Sequence, residues 1–233
     1  MEAKLDKAIC LCLDKRQEHW EDLKEQCQSR GIEFIRFLVG KGEIFPKEEY
    51  DYIDDPSPNL TYWRYGSPET KKNHYNAFMS HKGMLKYAID NNFEHALFLE
   101  DDAYFTERFE DVFSKVKDTL EPVDWDIVYF GWWIGHEGDG WNAMIEDMYN
   151  KEGSVGIGRV GSAHATLGGL HAALINKSMF EKMASLSPLD CMDSLLNRVF
   201  HREIKSYYIC PKIIHDKGIF SEAEQSENPR LKL

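Results

Sequence analysis

Short apolar runs and helical patterns alternate through the first part of the chain. Residues 8–13 (AICLCL) form a continuous apolar run of the kind that a buried strand shows. Trp20, Leu23 and Cys27 then recur at helical spacing, with Gly31 as a stop signal, and EFIRFLV predicts a second strand. A strand, a helix and another strand in succession favour parallel pairing in an α/β domain.

Residues 41–70 interrupt this pattern with prolines and tyrosines and little periodicity. Their aromatic content argues against disorder, so we interpret them as an ordered excursion near a site. The elements predicted after it are a helix in KKNHYNAFMSHKGMLKYAIDNN, a strand at residues 96–99, a helix in TERFEDVFSKVKDTL and a strand in WDIVYFGWW.

The last part of the chain begins with a glycine-rich stretch, residues 135–163, which indicates a mobile loop able to close over a site. A strand in GLHAALIN, a helix that Asn176 or Ser178 caps, a helix in LDCMDSLLNRVFHR and a last strand in KSYYICPKII follow, and His215 closes that strand. We therefore expect one α/β domain over residues 1–220, with a mostly parallel central sheet flanked by helices, and a polar tail over residues 221–233.

Charge and composition narrow the function. The formal net charge of −12 argues against nucleic acid as the main partner, because phosphate binding requires a basic surface. No apolar run reaches the length of a membrane span, and the N-terminus lacks the apolar segment of a secretory signal. The five cysteines are scattered, without a C-x-x-C pair, which suits reduced thiols. We expect a cytoplasmic protein.

Three consecutive carboxylates, Glu100, Asp101 and Asp102, stand directly after the predicted strand at residues 96–99. Such a cluster repels itself unless positive charge lies among it. In open α/β sheets ligands bind at the carboxyl ends of strands, and clustered oxygen ligands suit Mg²⁺ or Mn²⁺. The cluster therefore predicts a divalent-cation site that holds a phosphorylated ligand. The alternative is that these acids cap a helix or face solvent.

The segments that carry the chemistry resemble glycosyltransferase family 25, which includes lipopolysaccharide galactosyltransferases and collagen-modifying relatives. The resemblance lies in CLDKR after the first strand, in Ser80 and His81 on the helix that leads to LFLEDDA, and more loosely in LGGLHAALINKSMFEKM and LDCMDSLLNRVF. It implies the GT-A fold, a Rossmann-like single domain, with Mn²⁺ or Mg²⁺ as cofactor. It also implies transfer of galactose or a related hexose from a UDP-sugar, with inversion at the anomeric carbon.

The resemblance also suggests roles for individual residues. Glu100 and Asp102 are the outer members of an acid-x-acid motif, with Asp102 on the metal, and Asp101 points away or touches the sugar. The predicted metal ligands are Asp102, Glu100 and His215, with Asp216 as the alternative to His215. The predicted donor-binding residues are Leu13, Asp14, Arg16, Ser80, His81, Glu100 and Asp101.

Inversion needs a base for the acceptor hydroxyl, and Asp193 and Asp190, three residues apart on one predicted helix face, are the candidates. Trp132 and Trp133 are either core residues or a platform for a sugar ring. The acceptor is expected to be a glycan or a protein hydroxyl. Two other functions stay open: a non-catalytic sugar-binding protein that retains the fold, and a metal-dependent phosphohydrolase or nucleotidyltransferase.

Overall fold

The structure is a computed structural model, and it describes residues 7–38, 68–134, 155–159, 167–186, Met192, Leu196 and 204–217. Several predictions lie outside these residues: the excursion before residue 68, most of the glycine-rich loop, the helix in LDCMDSLLNRVFHR except for Met192 and Leu196, and the polar tail. The candidate bases Asp190 and Asp193 also lie outside them.

The described residues build one seven-stranded sheet, two short two-stranded ribbons and four helices. The strands of the sheet, in spatial order, are β2 (Phe34–Leu38), β1 (Ala8–Cys12), β3 (His95–Glu100), β9 (Ala172–Asn176), β5 (Ile127–Tyr129), β10 (Ser206–Cys210) and β7 (Gly156–Arg159). The ribbons pair β4 (Ala103–Phe105) with β11 (Ile214–Asp216), and β6 (Trp133–Ile134) with β8 (Leu167–Gly168). The helices are α1 (Gln17–Ser29), α2 (Pro68–Asp90), α3 (Phe109–Leu120) and α4 (Lys177–Ala184).

The predicted parallel unit is confirmed. β1 lies between β2 and β3 and pairs with both in parallel, so these three strands end at the same edge of the sheet. Gly31 lies just past the end of α1 with φ at +65°, a left-handed conformation that glycine adopts without steric cost, and it turns the chain towards β2.

The sheet is mostly parallel, as predicted, although two strands run the other way. β9 pairs antiparallel with both β3 and β5, and β7 pairs antiparallel with β10. β5 and β10 are parallel to each other. The antiparallel β9 therefore stands in the middle of the sheet, where it brings the segment before Ala172 next to the carboxyl end of β3.

Helices cover both faces of the sheet, because alternate residues of each strand point to opposite sides. On one face Ile9, Leu11 and Phe98 pack with α2 and α4. On the other face Cys10, Leu97 and Leu99 pack with α1 and α3. The helix predicted in TERFEDVFSKVKDTL is confirmed as α3, whose buried residues are Phe109, Val112, Val116 and Leu120. Asn176 caps α4 by accepting a hydrogen bond from the Ser178 N–H at 3.1 Å.

Two predicted strands are wrong in extent. The strand predicted in KSYYICPKII stops at Cys210, because Pro211 has no N–H to continue the ladder, and the chain resumes as β11 in a separate ribbon. His215 was expected to close the last strand of the sheet, but it lies inside β11, a further short strand that belongs to the ribbon with β4. The strand predicted in WDIVYFGWW is likewise divided into β5 and β6.

Of the helices that the structure describes, none has both the length and the apolar composition that crossing a membrane requires. The cysteines Cys10, Cys12 and Cys27 are buried thiols that form no disulfide, as the scattered spacing predicted.

Candidate active site at the carboxyl end of β3

The three consecutive acids at the end of β3 have three different surroundings. Glu100 is the last residue of the strand and lies opposite Leu11 of β1, Asp101 and Asp102 form the turn that follows, and Ala103 begins β4. The cluster is therefore not one uniform acidic patch, because each of the three side chains has different partners.

Asp101 is the buried member, with 5% of its surface exposed. One carboxylate oxygen accepts the backbone N–H of Leu13 at 3.0 Å, and the other accepts Nη1 of Arg16 at 3.1 Å. Both partners belong to the turn between β1 and α1. Asp101 thus fastens that turn to the end of β3, and the predicted donor-binding residues Leu13 and Arg16 are held by the middle acid. Asp14 lies half-buried in the same turn.

Glu100 is paired with His81 of α2, the helix that packs on the opposite face of the sheet from α1. Its Oε1 lies 3.2 Å from Nε2 of His81 on α2, and the ring is buried with its Nδ1 2.9 Å from the Ala77 carbonyl. Burial by itself raises the pKa of Glu100, but the hydrogen bond and charge of His81, with the charges of His171 and Arg16, outweigh burial and hold the pKa below its usual value.

Ser80, the neighbour of His81, lies buried on α2. Its hydroxyl donates to the Asn76 carbonyl one turn back, at 2.6 Å. The structure therefore places the His81 ring next to Glu100, whereas the Ser80 hydroxyl donates its hydrogen bond within α2. The role predicted for Ser80 in donor binding stays a prediction.

Asp102 is the acid whose charge is left uncompensated. Its Oδ1 is buried and makes no hydrogen bond to any residue that the structure describes. Burial, together with the charges of Glu100, Asp216 and Asp101, raises its pKa from 3.8 to about 8, and the charge of Arg16 opposes this only in part. A buried carboxylate oxygen of this kind is costly unless a ligand completes it.

The β4–β11 ribbon carries the C-terminal candidates to the same place. Asp216 lies opposite Ala103, His215 lies opposite Tyr104, and the Lys217 N–H donates to the Asp102 carbonyl at 2.8 Å. Adjacent residues of a strand alternate faces, so His215 and Asp216 leave the ribbon on opposite sides. The charge of Asp216 is one of the causes that raise the pKa of Asp102, so Asp216 belongs to the surroundings of that acid.

No group of three or more His, Cys, Asp or Glu side chains is arranged to hold a metal ion within the described part of the chain. A hard divalent cation is nevertheless commonly bound through one or two carboxylates with substrate phosphates as the remaining ligands, and Asp102 and Asp216 supply groups of that chemical type. The buried Asp102 oxygen is the observation that supports this fit.

Sequence reasoning missed His171, which lies just before β9 and is 8% exposed. Its carbonyl accepts the Glu100 N–H at 3.1 Å, so it is a direct neighbour of the acids. The signal in the sequence was the pair of glycines in LGGLH, which marks a close approach of two segments. Only the pairing of β9 with β3 shows which segment approaches.

Of the two tryptophans considered for sugar stacking, Trp132 is a core residue. It is 1% exposed, its Nε1 donates to the Ile209 carbonyl at 2.6 Å, and the Tyr208 ring packs against it edge-on. Nothing is left of its ring for a ligand. The side chain of Trp133 lies outside the described residues.

The chain belongs to the class of α/β proteins with an open sheet, in which ligands bind at the carboxyl ends of the strands, and its acids lie at that edge. Comparison of the sequence with family models makes the class specific, because residues 6–134 match glycosyltransferase family 25, described as an LPS biosynthesis protein family. The match covers more than half of the 233 residues, and the chain belongs to this family.

Among solved structures, the chain is similar to one described as a glycosyltransferase involved in the glycosylation of the major capsid of PBCV-1. The two have 10% sequence identity and a TM-score of 0.43, over 94% of this chain and 96% of that chain. Comparison with curated proteins found no match.

Proposed function

We propose that this protein transfers a hexose, galactose or glucose, from a UDP-sugar to a hydroxyl group of a glycan or protein acceptor. We propose further that the reaction is metal-dependent and inverts the anomeric carbon, on a fold of the GT-A type. Membership of glycosyltransferase family 25 supports the transferase class. The buried, uncompensated oxygen of Asp102 at the end of β3 is the observation that carries the metal dependence.

Asp102 is the residue proposed to hold Mn²⁺ or Mg²⁺, and Asp216, whose charge acts on Asp102, is proposed as the second ligand. When bound, such a cation offsets the charge of a diphosphate leaving group. His215 and Glu100 were predicted as ligands from the sequence. Glu100 is already paired with His81, so we assign it to the donor instead, with its carboxylate held in place by that contact.

The remaining site residues are proposed to position the nucleotide-binding turn and to take the acceptor proton. Asp101 fixes the β1–α1 turn through Leu13 and Arg16, so that this turn presents a constant surface to the nucleotide. Direct displacement at the anomeric carbon needs a base that takes the acceptor proton, and a carboxylate suffices when the leaving group is stabilised. Asp193, with Asp190 as the alternative, is proposed for that role on the sequence resemblance alone.

The test is calorimetric titration of UDP into the protein with and without Mn²⁺, followed by an assay of UDP-hexose turnover. Wild type should bind UDP in a Mn²⁺-dependent way and release UDP from one UDP-hexose. Asp102→Asn should lose both properties and keep its circular dichroism spectrum. Asp118→Asn, the same substitution at an exposed position of α3, is the matched control and should behave as wild type.

Two results would contradict the proposal. UDP binding that is unaffected by Mn²⁺ and by Asp102→Asn would exclude the metal site. Tight binding without turnover of any UDP-hexose, in the presence of a range of glycan acceptors, would leave a sugar-nucleotide-binding protein in place of an enzyme.

A further inference from the structure

His171 is a buried histidine at the candidate site for which sequence reasoning found no role. β3 and β9 pair antiparallel up to Leu99 opposite Ala172, and the Glu100 N–H donates to the His171 carbonyl at 3.1 Å. Glu100 and His171 are therefore the next cross-strand pair, and the side chains of such a pair leave the sheet on the same face.

Two glycines make room for the His171 ring. A Cβ atom at Gly131 would lie 2.2 Å from Nε2 of His171 and 2.5 Å from the Ile214 carbonyl oxygen. A Cβ atom at Gly169 would lie 2.9 Å from Cε1 of the ring, and φ there is +113°, which side chains rarely tolerate. The ring thus lies between the segment after β5 and the segment before β9. A side chain at Gly131 or at Gly169 would occupy part of the space that the ring fills.

Two imidazoles from different elements act on one carboxylate as a result. His81 reaches Glu100 from α2 at 3.2 Å, and His171, just before β9, is the cross-strand neighbour of Glu100. The charge of His171 is among those that favour the ionised form of Glu100. Neither histidine belongs to the turn held by Asp101, so these two contacts of Glu100 come from other segments of the chain.

We propose that His171 is a positioning residue that acts on the nucleotide-sugar site through Glu100, by holding that carboxylate in one place and orientation next to Asp102. The proposal rests on the proposed function, since Glu100 has to contact the bound donor for its placement to matter. The two glycines contribute to this placement, because they leave the space that the ring occupies.

The experiment is a double-mutant cycle on His171 and Glu100, read out as the dissociation constant for UDP in the presence of Mn²⁺. His171→Gln should weaken binding by about tenfold, the effect typical of residues that orient a ligating group. In the Glu100→Gln background the same change should have less than about a twofold effect, because the residue it acts through is already altered.

His95→Gln is the matched control, since His95 lies at the opposite end of the same strand pair, across from Asn176. It should leave UDP affinity unchanged in both backgrounds. His171→Asn, which places a smaller side chain in the same space, is measured in parallel. It replaces His171→Gln in the cycle if His171→Gln does not give a native circular dichroism spectrum.

The outcomes distinguish failure of the positioning role from failure of the proposed function. An equal loss of affinity in both backgrounds, or no more loss than in His95→Gln, overturns the positioning role of His171 while the proposed function stands. If wild type itself binds no UDP with Mn²⁺, the proposed function fails, and the role of His171 falls with it.

Discussion

Asp101 and Asp102 are adjacent in the chain and opposite in environment. Asp101 has both oxygens occupied, by a backbone N–H and by Arg16, and it joins two loops. Asp102 has a buried oxygen without a hydrogen bond among the described residues and a pKa raised to about 8. Carboxylates in one acidic run can therefore divide into a structural member, here Asp101, and a member proposed to be functional, here Asp102. Charge compensation distinguishes the two.

The largest effect expected is on catalysis at Asp102. A cation held there contributes several kcal/mol to the transition state, which corresponds to about two to three orders of magnitude in rate. Asp102→Ala should therefore reduce UDP-hexose turnover by about a hundredfold or more, measured as UDP release at saturating Mn²⁺. A variant that retains more than a tenth of the wild-type rate would show that Asp102 is not the functional member.

The next effect concerns stability at Asp101. Removing one partner of a buried ion pair typically costs about 3–5 kcal/mol, because the other charge stays buried. Asp101→Ala leaves Arg16, 16% exposed, without this partner, and the Leu13 N–H without its acceptor. We expect the free energy of unfolding, from urea titration, to fall by about 3 kcal/mol. Asp102→Asn should give no such loss in the metal-free protein, and equal losses in the two variants would remove the distinction.

The pH dependence of stability should reveal the same contrast. The pKa of Asp102 is about 8 in the folded chain, whereas its ordinary value is 3.8. Between about pH 4 and about pH 8 this carboxyl group is therefore protonated in the folded state and ionised in the unfolded state. Stability of the metal-free protein should therefore fall as pH rises from about 4 to about 8, by up to about 1.4 kcal/mol per unit from this residue. Glu100, whose pKa is lowered, contributes in the other direction at acid pH.

Asp102→Asn is the control for this slope, because asparagine does not titrate. Urea midpoints measured in EDTA across this range should decline less steeply in Asp102→Asn than in wild type, and above pH 8 the variant should be the more stable protein. Parallel curves would mean that Asp102 is ionised in the folded state across the range, with its charge compensated.

The smallest effect is expected far from the acids, at the other end of β9. Asn176 caps α4, and loss of an N-cap side chain costs about 1 kcal/mol. Asn176→Ala should lower the thermal midpoint by a few degrees and leave UDP affinity unchanged. A change in affinity would show that the two ends of the β3–β9 pair are coupled, which would weaken His95 as a control.

The elements themselves could largely be predicted from the sequence. The strands β1 and β3, the helices α1 and α3, the stop at Gly31 and the cap at Asn176 follow from local rules, namely apolar periodicity, glycine and side-chain capping. The failures share one cause. The ends of β5 and β10 are set by which segment lies alongside, and local patterns carry no information about a neighbour that is distant in sequence.

The candidate site shows the same division. The acids stood out because three charges follow a buried run, but their roles depend on partners from other segments. Arg16, the partner of Asp101, is 85 residues away in the chain, and Asp102 depends on the β11 ribbon. His171 was overlooked because its significance arises only when β9 inserts antiparallel beside β3.

By itself, the amino-acid sequence determined the α/β class and the position of the acidic turn at the end of a buried strand. Those properties depend on residue order and on the alternation of strand faces, which are local. Only the tertiary structure decided which carboxylate is neutralised by a protein cation, which is left with a raised pKa and which histidines support the site. Burial and charge compensation depend on every segment packed around a group, and folding alone brings those segments together.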